Sequence, residues 1–164
     1  GIMLDTKNFV MKTGVRTFEA AAYLRRLGAD TVEVRKLFSD SMEAYQKKAR
    51  VVAGAEVYCG CAIACISGPY DEDMRIVAPQ AADELLGIND VVASFVAYET
   101  DKGISFSARS MGAMNVQLVM ERLGGGGHLT MAGAQINTTS MEDARQMLLE
   151  AIDAYFAAQQ QSSN

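Results

Sequence analysis

Four consecutive glycines, Gly124 to Gly127, run directly into the only histidine of the chain, His128. Each glycine costs a folded segment roughly 0.5 to 1 kcal/mol against alanine, so a run of four asks for a conformational reason. Close approach of the backbone to a ligand supplies one. Amides left free in such a loop, beside an imidazole, have the chemistry to hold a phosphate oxygen or a base edge. A second polar group lies upstream. Alternation along Ile104 to Arg109 puts Ile104, Phe106 and Ala108 on one face and Ser105, Ser107 and Arg109 on the other. That is a small array of hydroxyls and a guanidinium able to take a phosphate bidentately. The plainer alternatives are a histidine that opens a strand and a solvated sheet face, and the residues alone leave both open. Cys59, Cys61 and Cys65 fall at offsets of two and four, so a strand would turn all three to one side. Packing as small hydrophobes accounts for them, and zinc would need a fourth ligand that the sequence does not obviously supply.

The elements that must position these groups follow from periodicity and caps. Val116, Val119, Met120 and Leu123 form one stripe of a helix capped by Asn115, and Leu129 to Asn137 reads as a strand. The order helix, glycines, strand is the reverse of a P-loop and has no Gly-Lys-Ser/Thr ending. The negative end of the helix dipole faces the glycines, so the dipole is not what would hold an anion. Earlier in the chain, Gly1 to Asp5 reads as the last turns of a buried helix, followed by a polar loop to Gly14. Thr17 is expected to cap a helix carrying Ala20, Tyr23, Leu24 and Leu27 and closed by Gly28; Thr31 starts a short helix, and Asp40 with Glu43 suits a capping box for another. Ala55 to Ser67 is a strand pair or one long strand, and Pro79 fits the first turn of a further helix. Val91 to Tyr98 and Ile104 to Arg109 form a hairpin at Asp101-Lys102-Gly103. Ser140 caps a last helix, and a polar tail frays from Gln159 to Asn164. The expected class is α/β: a helical piece over residues 1–50, a seam near Arg50 to Gly54, and a mixed-sheet domain over 51–158.

Composition bounds the function. With 164 residues and 49% hydrophobic content the chain can bury one good core or two small lobes. A net charge of -5 argues against a sequence-independent grip on long nucleic acid, which rests on releasing many counterions. No run reaches the ~18 apolar residues of a membrane span, no signal-peptide layout is present, and three clustered cysteines do not make a disulfide scaffold. A cytoplasmic protein without membrane contact of its own is expected. The opening Gly1-Ile2-Met3-Leu4, without an initiator methionine, reads as a fragment cut inside an element.

Taken together, Gly1-Ile2-Met3-Leu4-Asp5-Thr6-Lys7-Asn8-Phe9, Thr13-Gly14-Val15-Arg16-Thr17-Phe18-Glu19-Ala20, Arg109-Ser110 and the Gly-Gly-Gly-Gly-His run occur in one order over nearly the whole chain. In this the chain resembles the C-terminal part of a DHH-family phosphoesterase with its DHH-associated domain, and more narrowly the cyclic-di-AMP phosphodiesterases of the GdpP/YybT type. The resemblance implies the helical end of a DHH lobe followed by a complete associated domain. It implies a parent enzyme with two manganese ions that hydrolyses a cyclic dinucleotide to a linear one; the alternatives are a phosphodiesterase or nuclease for short linear oligonucleotides and a non-catalytic nucleotide-binding module. It carries Asp5 onto the family's metal-binding Leu-Asp-Thr motif, where a hard carboxylate suits manganese. It carries Gly124, Gly125, Gly126, Gly127, His128 and Arg109 onto substrate-binding positions. The other three metal-binding motifs are absent from these residues, so the piece is expected to be inactive alone and to hold no manganese by itself. The parent is expected to be anchored at the membrane by upstream segments and to face the cytoplasm, and a homodimer is compatible with the resemblance.

Overall fold

The computed structural model describes residues 1–69, 71–138 and 140–162. It divides into two compact units, Gly1–Ser41 and Met42–Asn164.

The first unit is three short helices: α1 (Ile2–Asp5), α2 (Val15–Arg26) and α3 (Thr31–Lys36). Thr6 is its one buried residue among those described, its hydroxyl donating to the Ile2 carbonyl at 2.7 Å and accepting from Phe9 N–H at 2.9 Å. α1 is a single turn with no buried residue, not the buried helix end expected there. Gly14 occupies the N-cap of α2, and Thr17, expected as the cap, sits at the third helical position, where its hydroxyl accepts from Gly14 N–H at 3.3 Å. Asp30 caps α3 by accepting from Val32 and Glu33 N–H. The apolar stripe of α2 is real in spacing, yet Phe18, Tyr23, Leu24 and Leu27 stay exposed.

The second unit opens with α4 (Met42–Ala53), then β1 (Glu56–Tyr58), β2 (Cys61–Ile66), α5 (Met74–Leu85), β3 (Ala93–Thr100), β4 (Gly103–Ser110), α6 (Val116–Arg122), β5 (Gly126–His128), β6 (Met131–Ile136) and α7 (Met141–Ser162). The strands form one six-stranded sheet in the order β1-β2-β3-β4-β6-β5. All neighbours are antiparallel except β2 and β3, which α5 joins as a crossover. The α4 helix, expected in the first piece, packs with this unit because Val51 joins a cluster with Ala62, Ala64, Val77, Ala81, Leu85 and Val96. The compact-unit boundary therefore falls at Ser41/Met42, before the seam expected near Arg50 to Gly54.

Strand alternation sorts the core into two layers. Ile63, Phe95 and Phe106 face α6 and α7, where Val116, Met120, Leu148 and Ile152 complete a cluster. Ala62, Ala64 and Val96 face α5, and the small alanines let that helix lie close. Ile63 and Phe95 are at most 1% exposed, and each such side chain contributes about 1.5–3 kcal/mol of burial.

Several local expectations are revised. Of the two forms expected for Ala55 to Ser67 the structure has the strand pair, turned at Cys59-Gly60, whose φ values of 49° and 74° make a two-residue turn of the kind that matches strand twist. Cys59 therefore lies in the turn and not on the strand with Cys61 and Cys65. Pro79 sits inside α5, because the helix already begins at Met74. The region from Gln159 continues α7 to Ser162, where a frayed tail was expected; Ser163 and Asn164 lie outside the described residues.

Candidate functional site

The glycine run has a different architecture from the free loop expected of it. Gly124, at φ 76°, closes α6: its N–H donates to the Glu121 carbonyl at 3.1 Å and Gly125 N–H to the Met120 carbonyl at 2.9 Å, the two bonds of a Schellman cap. Gly126 to His128 is then an edge strand, with Gly126 opposite Gly133, Gly127 opposite Ala132 and His128 opposite Met131. A Cβ on Gly125 would overlap the Gly133 carbonyl and stand 2.6 Å from Ala134 Cα; one on Gly127 would overlap the Met131 carbonyl and stand 2.5 Å from Ala132 Cα. So the close backbone approach that the glycines permit is, at Gly125 and Gly127, an approach to the chain's own β6. Gly126 differs: a Cβ there would have nothing within 4 Å.

Pairing across the sheet brings Arg109 and His128 together. Ser94, Arg109, Met131 and His128 are successive partners across β3, β4, β6 and β5, and residues paired in this way project to the same face. With strands about 4.8 Å apart, the Arg109 and His128 backbones stand about 10 Å from each other. One row along, Ser107, Gly133 and Gly126 are successive partners, and the next row pairs Ser105 with Gln135. The face that carries them is covered by α5 on its β2–β4 side, where Ser94 Oγ donates to the Ala82 carbonyl. At its β6–β5 side Met131, Gln135 and His128 are exposed. The result is a polar floor with a strip of bare backbone at Gly133 and Gly126, flanked by an arginine and a histidine.

His128 is held from its turn. Leu129 and Thr130 join β5 to β6, with Ser110 N–H donating to the Thr130 carbonyl at 3.0 Å and Val116 N–H to the Leu129 carbonyl at 3.1 Å. The Ser110 hydroxyl donates to the Met114 carbonyl at 2.6 Å. Asn115 caps α6 through Gln117 N–H at 3.1 Å, as its sequence position led us to expect, and Tyr155 OH accepts from Asn115 N–H.

Arg109 is less free than a solvated strand residue. Its side chain is 12% exposed, its Nε lies 3.3 Å from Asp83 Oδ1, and its Nη1 donates to the Ala108 carbonyl at 2.9 Å. Nε is fully buried and its hydrogen is not in line with any acceptor among the described residues. A buried N–H without an aligned acceptor costs about 1–3 kcal/mol, so the Asp83 carboxylate, close but off-line, offsets charge without closing a good hydrogen bond. Ser107 is 8% exposed on the same face.

Asp5 belongs to the first unit, at the end of α1, and is exposed. Directly after it, Lys7, Asn8 and Phe9 take φ values of 47°, 58° and 66°, a left-handed run that non-glycine residues adopt at a cost and that clusters at functional sites. Only Asn8 signals it among the residue types, since asparagine alone of the three favours that region. Among the described residues no three His, Cys, Asp or Glu side chains converge on a point. One carboxylate is not a two-metal site, which needs several anionic ligands around ions about 3.5–4 Å apart.

The remaining groups do not join this floor. Cys61 and Cys65 pack into the core, burial pushing the Cys61 thiol up to about 12 and the Cys65 thiol upward. A cavity of about 520 Å³ lies at the far ends of β2 and β3, lined by Lys47, Arg50, Ile66, Met74, Tyr98 and Glu99. Lys47 there is bound by Asp71 at 2.8 Å and Asp73 at 2.5 Å.

Comparison with known proteins agrees with this architecture. The family model described as DHHA1 domain matches residues 60–158. Over 159 residues the chain is 46% identical to the cyclic-di-AMP phosphodiesterase PdeA of Listeria monocytogenes, and over 158 residues 49% identical to the cyclic-di-AMP phosphodiesterase GdpP of Geobacillus thermodenitrificans; each match covers 95% of this chain and 24% of the relative. The chain thus spans about a quarter of those relatives' length. It is also 26% identical to the bifunctional oligoribonuclease and PAP phosphatase NrnA of Thermus thermophilus, covering 93% of this chain and 48% of that one. An exopolyphosphatase-related protein from Bacteroides fragilis shares the fold, with a TM-score of 0.82 at 23% identity over 94% of this chain and 48% of its own.

Proposed function

Because the chain belongs to the DHHA1 domain family, we propose that it is the substrate-binding part of a phosphodiesterase that hydrolyses cyclic-di-AMP to a linear dinucleotide. The observation that carries this reading is the cross-strand row in which Arg109 and His128 share one sheet face beside the bare backbone of Gly126 and Gly133. A phosphodiester oxygen can accept from the guanidinium and from the imidazole, while the flat strip admits a sugar or base without a Cβ in the way. The relatives at 46% and 49% identity are cyclic-di-AMP phosphodiesterases, which supports the cyclic dinucleotide as substrate. Hydrolysis adds water to phosphorus and breaks one P–O bond to the ribose. In this step Arg109 and His128 hold the non-bridging oxygens on which negative charge accumulates.

Asp5 supplies one ligand toward the two manganese ions of the longer protein. The other donors lie outside this sequence, and among the described residues no cluster of three His, Cys, Asp or Glu side chains stands with it. The longer protein is held at the membrane, facing the cytoplasm, by segments other than these; no helix among the described residues is long and apolar enough to cross a bilayer.

The test uses the full-length protein with manganese. Turnover of cyclic-di-AMP should exceed turnover of the linear dinucleotide, and the reverse order would transfer the assignment to short linear oligonucleotides, in keeping with the oligoribonuclease from Thermus. His128→Ala should weaken cyclic-di-AMP binding by about 10–100-fold, since a hydrogen bond to a charged group contributes about 1.5–3 kcal/mol. An unchanged dissociation constant would remove His128 from the site, and manganese-dependent turnover that survives Asp5→Asn would remove Asp5 from the metal centre.

A further inference from the structure

We propose that Asp83 of α5 is a positioning residue for the phosphate-binding arginine, an inference that rests on the reading of Arg109 given above. Three observations carry it. The Ser94–Arg109 pair points at α5, where Ser94 Oγ bonds the Ala82 carbonyl, so the helix and strand are locked one residue away from Asp83. The Asp83 carboxylate lies 3.3 Å from Arg109 Nε, and the two side chains are 32% and 12% exposed, respectively. Nη1 is engaged by the Ala108 carbonyl on the strand itself. The Nη1 bond restrains the guanidinium and the Asp83 carboxylate attracts it from the helix side, while neither contact occupies Nη2.

An arginine has many rotamers to lose when it grips a ligand, and a guanidinium already bonded through one nitrogen and drawn by a carboxylate beside another loses fewer of them. Asp83 supplies that restraint from the helix side, where a neutral side chain would not oppose the charge. The short Nε contact is off-line for a hydrogen bond. The pair is therefore able to tighten by a small rotation when a phosphate draws the guanidinium toward it. Asp83 touches neither substrate nor metal in this scheme; its effect on the ligand passes through Arg109.

A mutant cycle on the full-length protein tests this, with the dissociation constant of a non-hydrolysable phosphorothioate analogue of cyclic-di-AMP as the readout and thermal midpoints recorded alongside. Asp83→Asn keeps the shape and removes the charge. It should weaken the analogue about tenfold, raise KM for cyclic-di-AMP more than it lowers kcat, and change affinity less than about twofold when Arg109 is already Gln. If Asp83 merely competed with phosphate for the arginine, Asp83→Asn would tighten binding, and that result overturns the proposal. An equal loss in both backgrounds also overturns it, because Asp83 would then act independently of Arg109. Should Asp83→Asn fail to fold, Asp83→Glu keeps the charge but displaces it; a several-fold loss is expected, and wild-type affinity counts against the proposal. Arg109→Gln with undiminished affinity would overturn the phosphate role of Arg109 itself, whereas loss in Arg109→Gln without loss in Asp83→Asn overturns only the role of Asp83.

Discussion

Replacing Gly125 by alanine should loosen one edge of the sheet while leaving the rest of the second unit intact. The new methyl would overlap the Gly133 carbonyl and come within 2.6 Å of both Ala134 Cα and Cβ, and backbone on a paired strand cannot retreat without giving up its ladder. Two outcomes compete. Keeping the pair forces a distortion of the kind that costs about 1–3 kcal/mol when a packed site is overfilled. Separating β5 from β6 loses about two ladder bonds at about 1 kcal/mol each. The cheaper route sets the result, so the expected loss is about 2 kcal/mol, read as a lower urea midpoint with faster amide exchange at Gly126 to His128. Gly126→Ala is the control: its φ lies outside the left-handed range and a Cβ has nothing within 4 Å, so stability should hold or rise by about 0.5 kcal/mol. Nucleotide affinity should nevertheless fall in Gly126→Ala if the ligand lies on that strip. A Gly125→Ala chain within about 0.5 kcal/mol of wild type, or a Gly126→Ala chain equally damaged, would refute the strand-packing account of the run.

Two further outcomes test the packing around the sheet. Tyr58 donates to Asp153 Oδ1 at 2.8 Å, a bond that, aided by burial, pushes its phenol from 10.0 up to about 12. Because the folded value is the higher one, the stability this bond contributes is fully present below pH 10 and is lost as pH rises toward 12; in an ultraviolet titration Asp153→Ala should move one tyrosine's transition to lower pH, and an unchanged curve would contradict this. Cys59 is exposed in its turn whereas Cys61 is buried with a thiol pushed up to about 12, so a thiol reagent at neutral pH should label Cys59 first and Cys61 only on unfolding. A fast phase that persists in Cys59→Ser would contradict that order.

What the sequence disclosed was local. The stripe Val116, Val119, Met120 with Asn115 before it specifies α6 and its cap, and the structure has both. Asp101-Lys102 between two alternating runs specifies the β3–β4 hairpin, which the register from Ala93 with Ser110 to Thr100 with Gly103 confirms. The second half of the glycine run was not legible as a strand, because glycine carries no strand propensity and its pairing with β6 is fixed by the Leu129-Thr130 turn and the α6 cap acting together. Pro79 misled for a related reason: the first-turn preference of proline is a local statistic, and α5 starts earlier because Met74, Val77 and Ala78 bury against the sheet. Arg109 was visible as a candidate from alternation alone. Its counter-charge was not, since Asp83 meets it only after the crossover helix settles on the face of β3 and β4.

The two outermost strands, β1 and β5, are three residues each. A foreign strand seeking to extend the ladder would find about 10 Å of template on either side, and on the β5 side two of the three rungs are glycine, with no side chain to interlock. Fibril growth by stacking copy upon copy thus has little purchase at either border, even though four strands lie between them.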